Sequence, residues 1–278
     1  MKNYIRDFEP NLNNILKKSL RLMTSGHSEK NFFIIKLSRY DFNDSLCNDF
    51  FYNYKRIQNH KLNLTALLEN KKTHPAWIIV TAYYACYYMA LDLNRLMGNF
   101  LITFQERELN EIFNEIKFDN HIPLNNPASS FNARVSINTD NEIEIKFSIA
   151  SGKSHLLVWN YMNDNFFKKD DRKHSNYLTE MEYVSSILTG RNRWISPSQV
   201  RNKWNYQEPN LYDENGITLS KSFLANLENN KKAYKWIQRR KLDPSDENHA
   251  SSLAFLYHYL SHSIDYLYTE YFNSFKQS

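Results

Sequence analysis

The sequence predicts a mainly α-helical fold, a helical bundle with a small β-hairpin inserted near its middle. Three observations carry this expectation. Several long stretches place apolar residues at helical spacing, only 5 glycines occur in 278 residues, and two alternating apolar–polar runs flank Thr139-Asp140-Asn141. Scarce glycine leaves few positions for the tight turns a many-stranded barrel needs. Hydrophobic residues make up 42% and aromatics 15%, enough for a sizeable core and against general disorder.

Taken in order, residues 8–24 place Leu12, Ile15, Leu16, Leu20 and Met23 at helical spacing, with Gly26 as the stop. Asn31 to Leu37 (NFFIIKL) is a short β-like run, expected as an edge strand. Residues 40–57 mix aromatic and polar groups and are expected to be irregular or weakly helical. A short helix starts at Asn63-Leu64-Thr65-Ala66-Leu67-Leu68. A long helix over 75–97 begins at Pro75, suited to a first helical position, and ends before Gly98. Residues 106–117 are amphipathic, with Leu109, Ile112, Phe113 and Ile116 inward. After a proline-bearing loop over 120–130, strands are expected at 133–138 and 142–149, then helices at 155–167 and 177–188. Arg191 to Gly216 reads as a long loop, and helices at 219–240 and 248–275 close the chain. The resulting organisation is an N-terminal helical or irregular extension over 1–60 and a helical domain over 61–278 carrying the hairpin at 133–149.

The formal charge of +5 permits nucleic acid as a partner without requiring it. Cys47 and Cys86 are too few for a disulfide framework. MKNYIRDFEPNLNN has no apolar signal core, so a cytoplasmic location is expected. The uncharged run Ala76 to Leu91 falls short of the roughly 20 residues a membrane span needs, and no membrane is expected as partner.

Ala82-Tyr83-Tyr84-Ala85-Cys86-Tyr87-Tyr88-Met89-Ala90, followed by Leu93 and Leu96, resembles the central helix of HEPN-like helical bundles. The order of parts, with HLLVWNYM after the hairpin and a closing LAFLYHYLSHSIDYLYTEYF, also looks like bacterial YaaC-type proteins. The physical reading stands beside this. Small residues let a neighbouring helix approach closely, and Tyr83/Tyr87 and Tyr84/Tyr88 are i,i+4 pairs that serve core packing or, alternatively, a phenol cage.

HEPN nucleases use an arginine, then four to six intervening residues, then a histidine, to activate a ribose 2′-OH and stabilise the phosphate transition state. The resemblance directs attention to Arg201-Asn202, but the positions for histidine hold Tyr206, Gln207 and Glu208. Arg201, Asn202 and Tyr206 are therefore the candidate catalytic set of a broken motif. A formal Arg21 to His27 match lies outside the family's place, and Arg239, Arg240 and His249 flank the last helix junction. Arg191, Arg193 and Lys203 interleave with Trp194 and Trp204, which either dock into the core or present a surface to nucleic acid or a protein partner. His258 and His262 have metal-ligand spacing without an HExxH, and no metal or cofactor is expected. Ser151-Gly152-Lys153-Ser154 lacks the leading glycine of a phosphate loop and reads as a turn. The mixed charge run 168–174 reads as a solvated loop.

The resemblance implies a non-catalytic binding or assembly subunit with protein partners, in a prokaryotic phage-defence or stress-response setting. The alternatives are a metal-independent HEPN-type endoribonuclease and a nucleic-acid-binding adaptor.

Overall fold

Alternation along short runs builds a sheet. The computed structural model describes residues 25–29, 31–115, 129–137, 142–167 and 178–276. Strands β1 (Ser25–Glu29), β2 (Phe32–Leu37), β3 (Asn99–Phe104), β4 (Ser129–Ile137) and β5 (Ile143–Ile149) pair antiparallel in the order β1-β2-β5-β4-β3. β4 and β5 are the expected hairpin, with Ala133 opposite Phe147 and Val135 opposite Ile145. β2 is an inner strand rather than an edge, because β1 hydrogen-bonds its other side. Gly26, expected to stop a helix, lies within β1. The helix expected over 8–24, the end of the one over 106–117, the loop over 120–128 and the run 168–174 lie outside the described residues.

Phe33, Ile35 and Leu37 alternate into one face, as do Ile143, Ile145 and Phe147. Phe33 stacks on Phe147 at 4.8 Å and meets Phe113 and Phe131 edge-on at 5.4 Å. Helix α3 (Glu106–Glu115) lays Leu109 and Ile112 on the same cluster. β3 was not expected. Its burial pattern lacks strict alternation, and the entry is set by Gly98 at φ 70°, where an added Cβ would lie 3.1 Å from the Val135 Cβ.

Residues 40–57, expected to be irregular or weakly helical, are regular helix. α1 (Arg39–Glu69) starts at Ser38, whose hydroxyl accepts the Asp41 N–H. Its buried stripe includes Phe42, Phe50, Ile57 and Leu64 but also Ser45, Asp49 and Asn53, which masks the apolar period. α2 (Pro75–Leu96) is the expected central helix, with Ala82, Ala85, Cys86, Met89 and Ala90 fully buried. Among the described residues it is the one helix long and apolar enough to cross a membrane. Yet 67% of its most apolar window is buried inside the protein, as in a core helix.

α4 (Ser154–Phe166) and α5 (Leu178–Thr189) follow expectation closely. The segment Arg191–Gly216 is not a long loop. Ser196 forms a capping box with Gln199, Pro197 takes the first turn, and α6 (Pro197–Asn202) runs into a π-helical turn, Lys203–Gln207, then a 3-10 turn, Pro209–Tyr212. Gly216 opens the next helix so close to the preceding turn that a Cβ would sit 1.8 Å from the Leu211 carbonyl oxygen. The helix expected over 219–240 is two, α7 (Glu214–Leu227) and α8 (Asn230–Ile237), because Asn229 breaks out and caps the second by accepting the Lys232 N–H. α9 (Asp246–Lys276) completes the chain.

The chain divides into two compact units, residues 1–55 with 94–154 and residues 56–93 with 155–278. The first holds the sheet. The second holds most helices and the residues described next.

Candidate functional site

Within the helical unit, the tyrosine side of α2 meets Arg201. α6 is fixed at its start by the Ser196–Gln199 capping box and by buried Pro197 and Val200. Arg201 follows on its last turn and is only 9% exposed. Its guanidinium carbon lies 5.3 Å from the Tyr83 ring centre, 5.7 Å from Tyr84 and 5.8 Å from Tyr206. Three ring faces at this range attract a cation. They do not neutralise it. Among the described residues Arg201 has no carboxylate in an ion pair, and its buried Nε has no hydrogen-bond partner. A buried, unpaired cation is costly unless an anion arrives to meet it.

His155, in the first turn of α4, belongs to the same cluster. Its Nδ1 and the Tyr83 hydroxyl share a hydrogen bond of 2.7 Å, donated by whichever atom carries the proton. The Tyr87 ring centre lies 4.4 Å from the imidazole. Burial, and then the Arg201 cation, push the His155 pKa below its usual 6.5, so the imidazole is neutral at pH 7. Burial pushes the Tyr83 phenol well above its ordinary value despite the opposing pull of Trp159 and Arg201. Tyr87 is pushed up to about 12, again mainly by burial. Both phenols stay protonated at neutral pH. The cluster thus offers one fixed positive charge, one neutral proton acceptor and several hydroxyl donors, a set that suits a phosphodiester.

The sequence-selected residues fare unevenly. Arg201 and Tyr206 come together, with Tyr206 69% exposed, and Asn202 sits at the start of the π turn. His155 was missed. It is far from Arg201 in sequence, and no local motif marks it. Trp194 and Trp204 are buried, Trp194 edge-on to Trp236 at 6.3 Å and to His249 at 5.5 Å. Neither indole is open to stack on a base, which corrects the expected basic-aromatic surface. Lys203 is held by Asp246 at 2.8 Å and Glu208 at 3.1 Å. Arg191 and Arg193 remain exposed, Arg193 at φ 65°.

Other candidates dissolve. Arg239 and Arg240 are exposed while His249 is buried against Trp194. The His258 Nε2 is 3.0 Å from the carbonyl oxygens of Asn226 and Leu227 and so caps the end of α7. Asp265, near His262, takes Lys61 at 2.7 Å. Among the described residues no group of three or more metal-ligating side chains occurs. Ser151, Gly152 and Lys153 form an exposed turn before α4.

No family model, curated protein or solved structure matches this chain.

Proposed function

We propose that the protein is a metal-independent endoribonuclease of HEPN-like type, in which Arg201 and His155, brought together by the fold rather than by one motif, act on a single-stranded RNA phosphodiester. The observation that supports it most is the buried Arg201 guanidinium without a carboxylate partner, beside the neutral His155 held by Tyr83. In the tautomer where Nδ1–H donates to the Tyr83 oxygen, the Nε2 lone pair is free. Nε2 takes the ribose 2′-OH proton as the 2′-oxygen attacks the adjacent phosphorus. Arg201 balances the charge gathering on the phosphate oxygens. The bond to the 5′-oxygen breaks, that oxygen takes a proton from water, and His155 returns its proton to the hydroxide formed. The products are a 2′,3′-cyclic phosphate and a 5′-hydroxyl.

The likeness of α2 to HEPN-like central helices supports the same reading, and a prokaryotic stress or defence setting rests on that likeness alone. A non-catalytic assembly role, which the same likeness and the missing histidine after Arg201 also suggest, loses Trp194 and Trp204 as contact residues because both are buried.

The test incubates purified protein with single-stranded RNA in the presence of a chelator. Cleavage with cyclic-phosphate ends is expected. Arg201→Lys and His155→Gln should each slow it by at least about 100-fold, with thermal melting showing that both variants fold. Intact RNA, or full activity in both variants, sinks the reading.

A further inference from the structure

A cleft of about 510 Å3 opens beside the Arg201 cluster, between the second half of α1 and α2. His60, Asn63, Thr81, Tyr84 and Tyr88 line it over the aliphatic Leu67. Tyr84 belongs to both places: it lines the cleft, and its ring centre lies 5.7 Å from the Arg201 guanidinium carbon. Tyr88 is already committed, with the Arg56 guanidinium 3.6 Å over its face and His60 stacked on it at 4.8 Å. Together they make a stiff aromatic wall. None of the lining residues is acidic, and none is lysine or arginine.

We propose that this cleft is a nucleobase subsite that takes the adenine of the nucleotide whose phosphate meets Arg201. The proposal deepens the phosphodiester reading and rests on it for the phosphate's position. A nucleotide bound at Arg201 sends its base past Tyr84, whose ring offers a stacking face. The base edge then meets Asn63, an exposed amide carrying a donor and an acceptor side by side. Adenine presents a matching acceptor and donor at N7 and N6, the pairing an asparagine amide reads bidentately. On that same edge guanine presents two acceptors, which call for the arginine or lysine that the lining does not hold, while cytosine and uracil have no N7 and offer the amide a single partner each. His60 adds one donor and one acceptor, since burial and the nearby Arg56 keep its imidazole neutral at pH 7.

The test is calorimetric titration of the full chain with 5′-AMP, GMP, CMP and UMP, repeated with Asn63→Ala and Arg201→Lys. AMP is expected to bind about tenfold more tightly than the other three. Asn63→Ala should remove that advantage and leave UMP affinity unchanged. Arg201→Lys should weaken all four alike, because phosphate contacts carry no base identity. Equal affinities in the wild type, no binding at all, or a uniform loss in Asn63→Ala overturns the proposal. An oligouridylate with and without one adenosine separates the sources: preference for the adenosine-bearing strand assigns the cleft to RNA, and preference for AMP alone assigns it to a free adenine nucleotide. Adenine preference without RNA cleavage keeps the cleft and removes the nuclease. Cleavage without adenine preference does the reverse.

Discussion

Each unit buries an arginine, and the two are treated in opposite ways. In the sheet unit Arg95 reaches Asp49 at 3.3 Å, and both side chains are at most 10% exposed. In the helical unit Arg201 is equally buried and is surrounded by tyrosine rings with no carboxylate in reach among the described residues. A cation answered within the fold is part of the structure. One left open, next to a neutral histidine, is prepared for an anion from outside.

The contrast is sharpest in paired substitutions. Arg95→Met leaves Asp49 buried without its partner and is expected to cost about 3–5 kcal/mol. Arg201→Met removes a cation that has no carboxylate partner among the described residues. Its stability should stay within about 1 kcal/mol of wild type, or rise, while activity disappears. Denaturant midpoints for the two variants measure the difference. A loss at Arg201 as large as at Arg95 would mean that the tyrosine cage alone satisfies the guanidinium, and the contrast would collapse.

Acidity should separate the units next. His60, His155, His249 and His258, all in the helical unit, have pKa values lowered from 6.5, chiefly by burial. A group that resists protonation when folded contributes stability above 6.5, lost as pH falls through the lowered value. Asp49 in the sheet unit runs the other way. Burial lifts it from 3.8 to about 6, against the pull of Arg95. Its contribution is present below 3.8 and is lost as pH rises through about 6. Asp49→Asn should therefore lose ground to wild type as pH falls from 6.5 to 4, by at most about 1.4 kcal/mol per pH unit. His155→Gln should gain on wild type over the acid side of 6.5. Unfolding curves at stepped pH give both slopes, and parallel slopes would break the assignment. RNA cleavage should rise with pH through the lowered His155 value and level off by neutrality.

The smallest effect belongs to a surface pair. Arg107 meets Glu111 one helical turn away at 3.1 Å, with Arg107 88% exposed. Arg107→Ala should cost no more than about 0.5 kcal/mol. A larger loss would mean that surface charges, not only buried ones, matter to the sheet unit.

How much of this was legible depends on where the physical signal lies. The hairpin was readable because alternation is local, and α2 because its apolar run is bounded by Pro75 and Gly98. α1 was hidden because its buried stripe contains Asp49, Asn53 and Ser45, polar residues that break the apolar period yet pack inward. α6 carried a readable start, Ser196-Pro197-Ser198-Gln199, which is a capping box with proline in the first turn. At the site, Arg201 was visible through its resemblance to a family motif. His155 was not, because it meets Tyr83 beside Arg201 only when α4 and α6 pack onto the same side of α2. Trp194 and Trp204 mislead for a related reason: an indole between arginines looks the same in sequence whether it faces solvent or core.

The π-helical turn at Lys203–Gln207 has a consequence for how this segment tolerates insertion and deletion. The Glu208 N–H donates to the Lys203 carbonyl, five residues back. Such a turn is an α-helix that has absorbed an extra residue. Removing one residue between Lys203 and Asn205 would restore α-helical pitch and swing Tyr206 about 100° around the axis, off the Arg201 guanidinium and out of the cage. Length in this stretch therefore acts as a coordinate of the site: the spacing from Arg201 to Tyr206 is set by the way the backbone is wound as well as by the residues that fill it.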